Sequence, residues 1–398
     1  MIHSYKLNGF NIALDVMSGC IHVVDEVAYD VINLYGKTDT DDIVAKIKST
    51  YNIEEKETRA IISEIEELKN AGKLFSKGER PEKALTKDVP LKALCLNISH
   101  ACNMRCGYCF AGQGEYGYDA GQALMSLETG KAAIDFLIAN SKKRRNLDVD
   151  FFGGEPLLNW EVVKEIVNYA RGIEKEHDKN FRFTLTTNGL LIDDDVIDFT
   201  CKHMHNVVLS LDGGAETNDA MRKLHDGSGS YSTIVPKLKK LVDARGGKGY
   251  YIRGTFTKHN IDFVKDVLHI ADLGFTELSM EPVVADARKD YALTEADFEK
   301  LSEQYEILAT EMLKREREGR GFSFYHYILD LSGGPCLHKR VAGCGVGTEY
   351  LAVTPNGELF PCHQFVGNDE FIMGDVWRGV DKDALKESFN ARDIYTIA

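Results

Sequence analysis

The sequence predicts an α/β protein: a partial (β/α)6 barrel over residues 91–320, a winged-helix-like domain over 1–78, a linker at 79–90 and a C-terminal extension over 321–398. Three observations carry that prediction. From Leu94 onward, six short apolar runs alternate with amphipathic stretches, the order that lays parallel strands side by side with helices against them. Four unusual sequences each follow one of the first four runs: Cys102-Asn-Met-Arg-Cys-Gly-Tyr-Cys109, Gly153-Gly-Glu-Pro156, Thr186-Thr-Asn-Gly189 and Ser210-Leu-Asp-Gly213. Parallel barrels gather their reactive groups on such strand-end loops. The first 78 residues instead read as strands followed by three helices.

In chain order, Phe10 to Val16 alternates like a strand, and Ser18-Gly19 turns it back into Cys20 to Val24. Val27, Val31, Ile32 and Tyr35 form one helical face; Ile43, Val44 and Ile47 form a second behind a Thr40 cap. Ile61, Ile62, Ile65 and Leu68 form a third that stops at Gly72, and Lys73 to Phe75 is expected to add a short strand. Lys77 to Pro90 is polar, with two prolines, and reads as a linker. The barrel strands are expected at 94–98, 149–152, 181–186, 207–211, 250–256 and 278–284. A helix follows from Ser126, another bears Val162, Val163, Ile166 and Tyr169, and 293–318 is a long charged helix with an apolar packing stripe.

Composition narrows the function. A hydrophobic fraction of 43% and a charged fraction of 28% in 398 residues suit a soluble protein of two or three domains. No run reaches membrane-span length, and the start lacks a secretory layout, so the expected location is cytoplasmic with no membrane partner. A net charge of −14 disfavours nucleic acid. Winged-helix modules often bind DNA, but Glu54, Glu55, Glu57, Glu64, Glu66 and Glu67 make this one acidic. Nine cysteines in such a chain point to metal or redox chemistry; Cys20, Cys95 and Cys201 are expected as small buried residues.

Cys102, Cys106 and Cys109 are spaced C-x3-C-x2-C. Three thiolates suit a [4Fe–4S] cluster with one iron left without a protein ligand; a structural zinc would need a fourth ligand, for which His100 is the candidate. Gly153 and Gly154 expose backbone near the site, or form a turn. Glu155 adds a carboxylate. Asn188 and Ser210 offer neutral hydrogen bonds, Asn188-Gly189 being otherwise a tight loop. Arg222 is a candidate to hold a carboxylate or to fix the loop, and Arg253 is another candidate for the carboxylate; either could instead serve a structural ion pair.

The cysteine motif, with Tyr108 at its aromatic position, resembles the signature of the radical S-adenosylmethionine (radical SAM) enzymes. The resemblance implies that S-adenosylmethionine chelates the fourth iron and is cleaved to a 5′-deoxyadenosyl radical that abstracts hydrogen, with a flavodoxin or ferredoxin as electron donor. It implies cofactor contacts at Tyr108, Gly153, Gly154, Glu155, Asn188, Ser210, Arg222 and Arg253. Residues 1–78 resemble the PqqD-like domains that take a leader peptide as an added strand; the plainer alternative is a structural cap. Cys336, Cys344 and Cys362, with Pro355-Asn356-Gly357 as a hairpin between the last two, resemble the opening of the SPASM extension, which carries auxiliary clusters. No cysteine follows Cys362, so an incomplete extension is expected, with an auxiliary [4Fe–4S] cluster short of one ligand, labile, and poor crosslinking by this chain; a packed hairpin is the alternative. The run Leu94 to Ala111 is most similar to the maturases of six-cysteine (SCIFF) peptides, which join a peptide cysteine sulfur to a carbon. The alternatives are another SPASM enzyme, such as an anaerobic sulfatase maturase, or a truncated chain that binds peptide without crosslinking it.

Overall fold

The computed structural model describes residues 2–77, 89–116, 124–328 and 343–392. They form two compact units, residues 2–77 and residues 89–328 with 343–392. Among the described residues no helix is long and apolar enough to cross a membrane.

The first unit is a three-stranded antiparallel meander, β1 (Ile2–Leu7), β2 (Phe10–Asp15) and β3 (Ile21–Val24), followed by α1 (Glu26–Leu34), α2 (Thr40–Tyr51) and α3 (Glu55–Asn70). Val31, Ile32, Ile43, Val44, Ile47, Ile62 and Ile65 meet Ala13 in one core. Two expectations fail locally. Thr40 is the first helical residue of α2 rather than its cap. Lys73 to Phe75 form no strand: Gly72 and Phe75 both take positive φ, and the chain turns to bury Leu74.

The second unit holds an 11-stranded sheet. Its centre is the expected six parallel strands in the order β11-β10-β8-β7-β6-β4: β4 (Ala93–Ser99), β6 (Asn146–Gly153), β7 (Asn180–Thr187), β8 (Asn206–Ser210), β10 (Tyr250–Phe256) and β11 (Glu277–Pro282). Helices α4 (Leu127–Asn140), α5 (Trp160–Ile173), α6 (Asp194–His203), α8 (Tyr231–Ala244), α9 (Val264–Asp272) and α10 (Phe298–Arg317) cover one face. There Leu94, Leu96, Val149, Phe151, Phe183, Leu185, Val207, Ile252 and Leu278 form the main core. Alternate residues, among them Cys95, Asp150, Ser210, Arg253 and Glu281, therefore lie on the opposite, concave face. Of the three cysteines expected to be buried, Cys95 is, Cys20 is half-buried, and Cys201 is exposed on α6.

The sequence places a domain boundary at 320, but the sheet runs through it. β12 (Ser323–Phe324) pairs parallel with β11, and β13 (Tyr350–Val353) pairs parallel with β4, putting Ala352 opposite Cys95. β14 (Glu358–Phe360), β15 (Gly374–Asp375) and β16 (Gly379–Val380) extend that edge, and α11 (Asp383–Ala391) follows. Sequence reasoning missed β1, β13's pairing, α11, and a ribbon of β5 (Met104–Cys106) with β9 (Arg222–Leu224), which follows α7 (Ala215–Met221).

Candidate functional site

All seven residues of β4 are buried, so the chain can leave the sheet only at its end. There Ser99 Oγ bonds both the Ala101 amide and its carbonyl, at 3.0 and 2.9 Å, and starts the cysteine loop. The loop is then fixed from a distant segment. β5 pairs with β9 so that Cys106 stands opposite Arg222, the Gly107 amide donates to the Met221 carbonyl at 2.8 Å, and His225 Nε2 lies 3.0 Å from the Cys102 carbonyl. From β7's end, Asn188 Nδ2 donates to Asn103 Oδ1 at 2.7 Å and stands 3.8 Å from Cys102 Sγ.

The glycine pair fits a close approach of backbones. A Cβ at Gly153, whose φ is +126°, would lie 2.3 Å from the Ser99 carbonyl oxygen; one at Gly154 would lie 2.3 Å from that of Ala101. Here the Gly154 and Glu155 amides donate to the Ser99 and Ala101 carbonyls at 2.7 and 2.9 Å. Glu155 is fully buried. Its Oε1 accepts from the Leu157 amide and Thr187 Oγ1, and its Oε2 from the Asn188 amide, at 3.0, 2.8 and 2.8 Å. Burial pushes its carboxyl up, against those bonds. Glu155 thus ties the second strand-end loop to the third.

Tyr108 forms a buried polar link below the cysteines. Its hydroxyl donates to Asp212 Oδ2 at 2.6 Å and accepts from Arg222 Nη1 at 3.1 Å. Asp212 also accepts from the Thr255 amide at 3.0 Å. Burial raises the Asp212 carboxyl, opposed chiefly by Arg222. Burial works against the Arg222 charge, and Tyr108, Cys106 and Asp212 more than offset it. Of the three alternatives for Arg222, its pairing opposite Cys106 and its bond to Tyr108 agree with fixing the loop. Asp212 stood inside a motif recognised from sequence without a role; only its burial beside Arg222 reveals one. His225 and Asn103 gave no signal.

Cys102, Cys106, Cys109, Tyr108, Gly153, Gly154, Glu155, Asn188 and Arg222 are thus gathered around one loop. Ser210 and Arg253 sit apart from it, opposite each other in register on the concave face of β8 and β10. The residues fit an iron–sulfur cluster. Burial, with Glu155, Cys106 and Cys109 nearby, pushes the Cys102 thiol up to about 12, and burial raises Cys106 too. Cys102 and Cys106 ionise together only beside a positive group such as a metal cluster. The Gln113 amide, 3.2 Å from Cys109 Sγ, is a donor to a thiolate. His100, the candidate fourth zinc ligand, is instead stacked on Tyr116 at 4.5 Å, and burial lowers it to about 4.

In the C-terminal segment the expected hairpin joins β13 to β14 through a turn at Gly357, φ +80°. The Gly347 amide donates to the Pro361 carbonyl at 3.0 Å, and Cys344 is close enough to Cys362 to raise its thiol, after burial. Cys336 lies outside the described residues. His363 packs on Phe152 and Phe110 at 4.9 and 5.7 Å between ring centres, and its Nδ1 is 3.2 Å from the Tyr350 hydroxyl.

This is the α/β fold of radical SAM enzymes, and residues 96–270 match the model of the Radical SAM superfamily. Among curated relatives, the radical SAM cyclopropyl synthase TigE of Paramaledivibacter caminithermalis is 27% identical over 44% of this chain and 38% of its own. A cysteine-type anaerobic sulfatase-maturating enzyme of Clostridium novyi is 24% identical over 76% of this chain and 80% of its own. The chain spans 38% and 45% of the lengths of two of its curated relatives. SuiB of Streptococcus suis, solved with S-adenosylmethionine, covers 100% of this chain and 88% of its own at a TM-score of 0.54 and 17% identity. Its complex with precursor peptide SuiA covers 96% and 86% at 0.54. The chain carries a radical SAM domain and is related to enzymes that mature peptides and sulfatases.

Proposed function

We propose that this chain modifies a ribosomally made, cysteine-rich peptide, abstracting hydrogen from one residue and joining its carbon to a cysteine sulfur. The observation that carries the catalytic half is one loop that bears three half-buried cysteines and is bonded to the ends of the second, third and fourth barrel strands. Cys102, Cys106 and Cys109 hold a [4Fe–4S] cluster in this reading, which supplies one-electron cleavage of S-adenosylmethionine when bound. Asn188 orients the Cys102 end of the loop, and the Tyr108–Asp212–Arg222 link holds the Cys106 end. Backbone groups around Gly153 and Gly154 meet the cofactor's ammonium, and Ser210 and Arg253 face its polar groups across the concave face.

Support for a peptide substrate comes from the first unit. No described strand pairs with the outer edge of β3, whose Val23 is 63% exposed and Ile21 37%. An exposed edge with apolar side chains suits an extended leader peptide bound by backbone hydrogen bonds. SuiB, which shares the fold across the whole chain, is solved with its precursor peptide. Removing residues 2–77 is expected to weaken peptide binding at least tenfold, measured by fluorescence anisotropy, while uncoupled formation of 5′-deoxyadenosine continues. Equal affinity with and without the unit would leave it a structural cap.

Cys336, Cys344 and Cys362 hold an auxiliary cluster in the same reading. Iron analysis after anaerobic reconstitution is expected to give more than the roughly four irons of one cubane, falling when Cys344 and Cys362 are replaced by alanine. About four irons, unchanged by those replacements, would leave a packed hairpin.

A further inference from the structure

The sixth barrel strand carries polar groups that no step above uses. Ser279 and Glu281 lie on the concave face of β11, because Leu278 and Met280 point into the helix-side core. In register, Ser279 stands opposite Arg253 on β10, and Arg253 opposite Ser210 on β8. Glu281 stands opposite Thr255, one row nearer the rim that bears the cysteine loop. Ser279 Oγ donates to Glu281 Oε1 at 2.7 Å. Glu281 Oε2 is 3.2 Å from His326 Nε2, and His326 Nδ1 is 3.0 Å from the Tyr305 hydroxyl on α10. Two hydrogen bonds joined by the Glu281–His326 ion contact therefore link the concave face to a helix beyond it. The Glu281 and His326 side chains are 29% and 23% exposed, open enough to meet a ligand and enclosed enough to be held.

We propose that Glu281 accepts the proton that the substrate peptide's thiol loses, with His326 and Tyr305 positioning the carboxylate and leading the proton away. The proposal rests on the thioether reading above. Joining S–H and C–H into a thioether removes two hydrogens from the peptide. The carbon's hydrogen atom ends in 5′-deoxyadenosine. The thiol's proton goes to Glu281, the sulfur–carbon bond forms, and the one electron left over passes to a one-electron acceptor of the iron–sulfur class. A carboxylate 3.2 Å from an imidazole whose far nitrogen is hydrogen-bonded can take that proton and hand it on. The groups facing Glu281 are Ser279 on its own strand, Arg253 from β10, His326 after β12 and Tyr305 from α10. Burial alone would raise the Glu281 carboxyl, but Ser279, His326 and Arg253 hold it below the usual range. The group is ionised at neutral pH but is a weak base, so the thiol's proton passes through it to His326 and does not stay on it. Arg253, whose charge also acts on Glu281, favours a thiolate on this face.

The test uses the reconstituted 398-residue chain with a synthetic cysteine-rich peptide as the probe. It reads crosslinked product per 5′-deoxyadenosine, a ratio that a low wild-type yield still allows. Glu281→Gln, close in size, is expected to cut crosslinked product per 5′-deoxyadenosine at least tenfold while peptide affinity stays within threefold. Glu281→Asp should recover part of that ratio. His326→Gln keeps the carboxylate but removes its partner; Glu281 then protonates at higher pH, so the acid limb of the product–pH profile moves up. That variant carries the test if Glu281→Gln fails to fold. An unchanged ratio in Glu281→Gln, or an acid limb that stays in place in His326→Gln, overturns the proposal alone. A wild-type product that has not lost two hydrogens by mass overturns the thioether reading and the proposal with it.

Discussion

Replacing Cys102, Cys106 and Cys109 together with alanine is expected to reduce 5′-deoxyadenosine formation to background under strong reductant. Each thiolate holds one iron of a cubane, and the cluster is the only source of the cleaving electron in this reading. The fold should survive, because these side chains leave the sheet at β4's end and the loop is held by other bonds. The β5–β9 pairing, the Met221 carbonyl and His225 all act through backbone or through residues left in place. A normal circular dichroism spectrum with no cluster absorbance near 400 nm (about that wavelength for thiolate-to-iron charge transfer) would accompany the loss. Cleavage that persists in the triple variant sinks the assignment.

Arg222→Met should produce the second large effect, on stability. Arg222 is 6% exposed and Asp212 1%, and removing one member of a buried charged link leaves the other without compensation, at a cost of about 3 kcal/mol or more. Calorimetry should show a fall of several degrees in Tm, accompanied by weaker cluster retention because Tyr108 loses its donor. Had Arg222 served only to hold the cofactor's carboxylate, affinity for S-adenosylmethionine would fall while Tm stayed in place. The two outcomes separate the readings that its position in the sequence left open.

The barrel was legible because its strands are buried on the helix side and punctuated by rare sequences. The runs at Leu94, Val149, Phe181, Val207, Tyr250 and Leu278 became the six parallel strands, and the loops after the first three meet at one place. Short-range signals misled where the decisive partner lay far along the chain. Lys73 to Phe75 reads as a strand, but positive φ at Gly72 and Phe75 turns it into a plug for the small core. Arg222 could be read as an anion holder or a loop anchor, and only the pairing of β9 with β5 sets it opposite Cys106. Glu281 and His326 stand 45 positions apart in charged stretches of ordinary appearance, and only the register of β10 with β11 shows that Glu281 faces inward. Asp212 was visible as part of a motif, yet nothing in that motif says its carboxylate meets Tyr108.

The pairing of β13 with β4 has a bearing on how the chain is made. β4 carries the cysteine loop, and it emerges from the ribosome with its β6 neighbour following soon after. Its other edge waits until more than half of the whole chain has been synthesised beyond it. An unpaired parallel edge in a nascent barrel is an aggregation hazard, and pairing so distant in sequence is slow. Slowing translation before residue 350 should therefore lower the soluble yield, because the edge of β4 stays unpaired for longer.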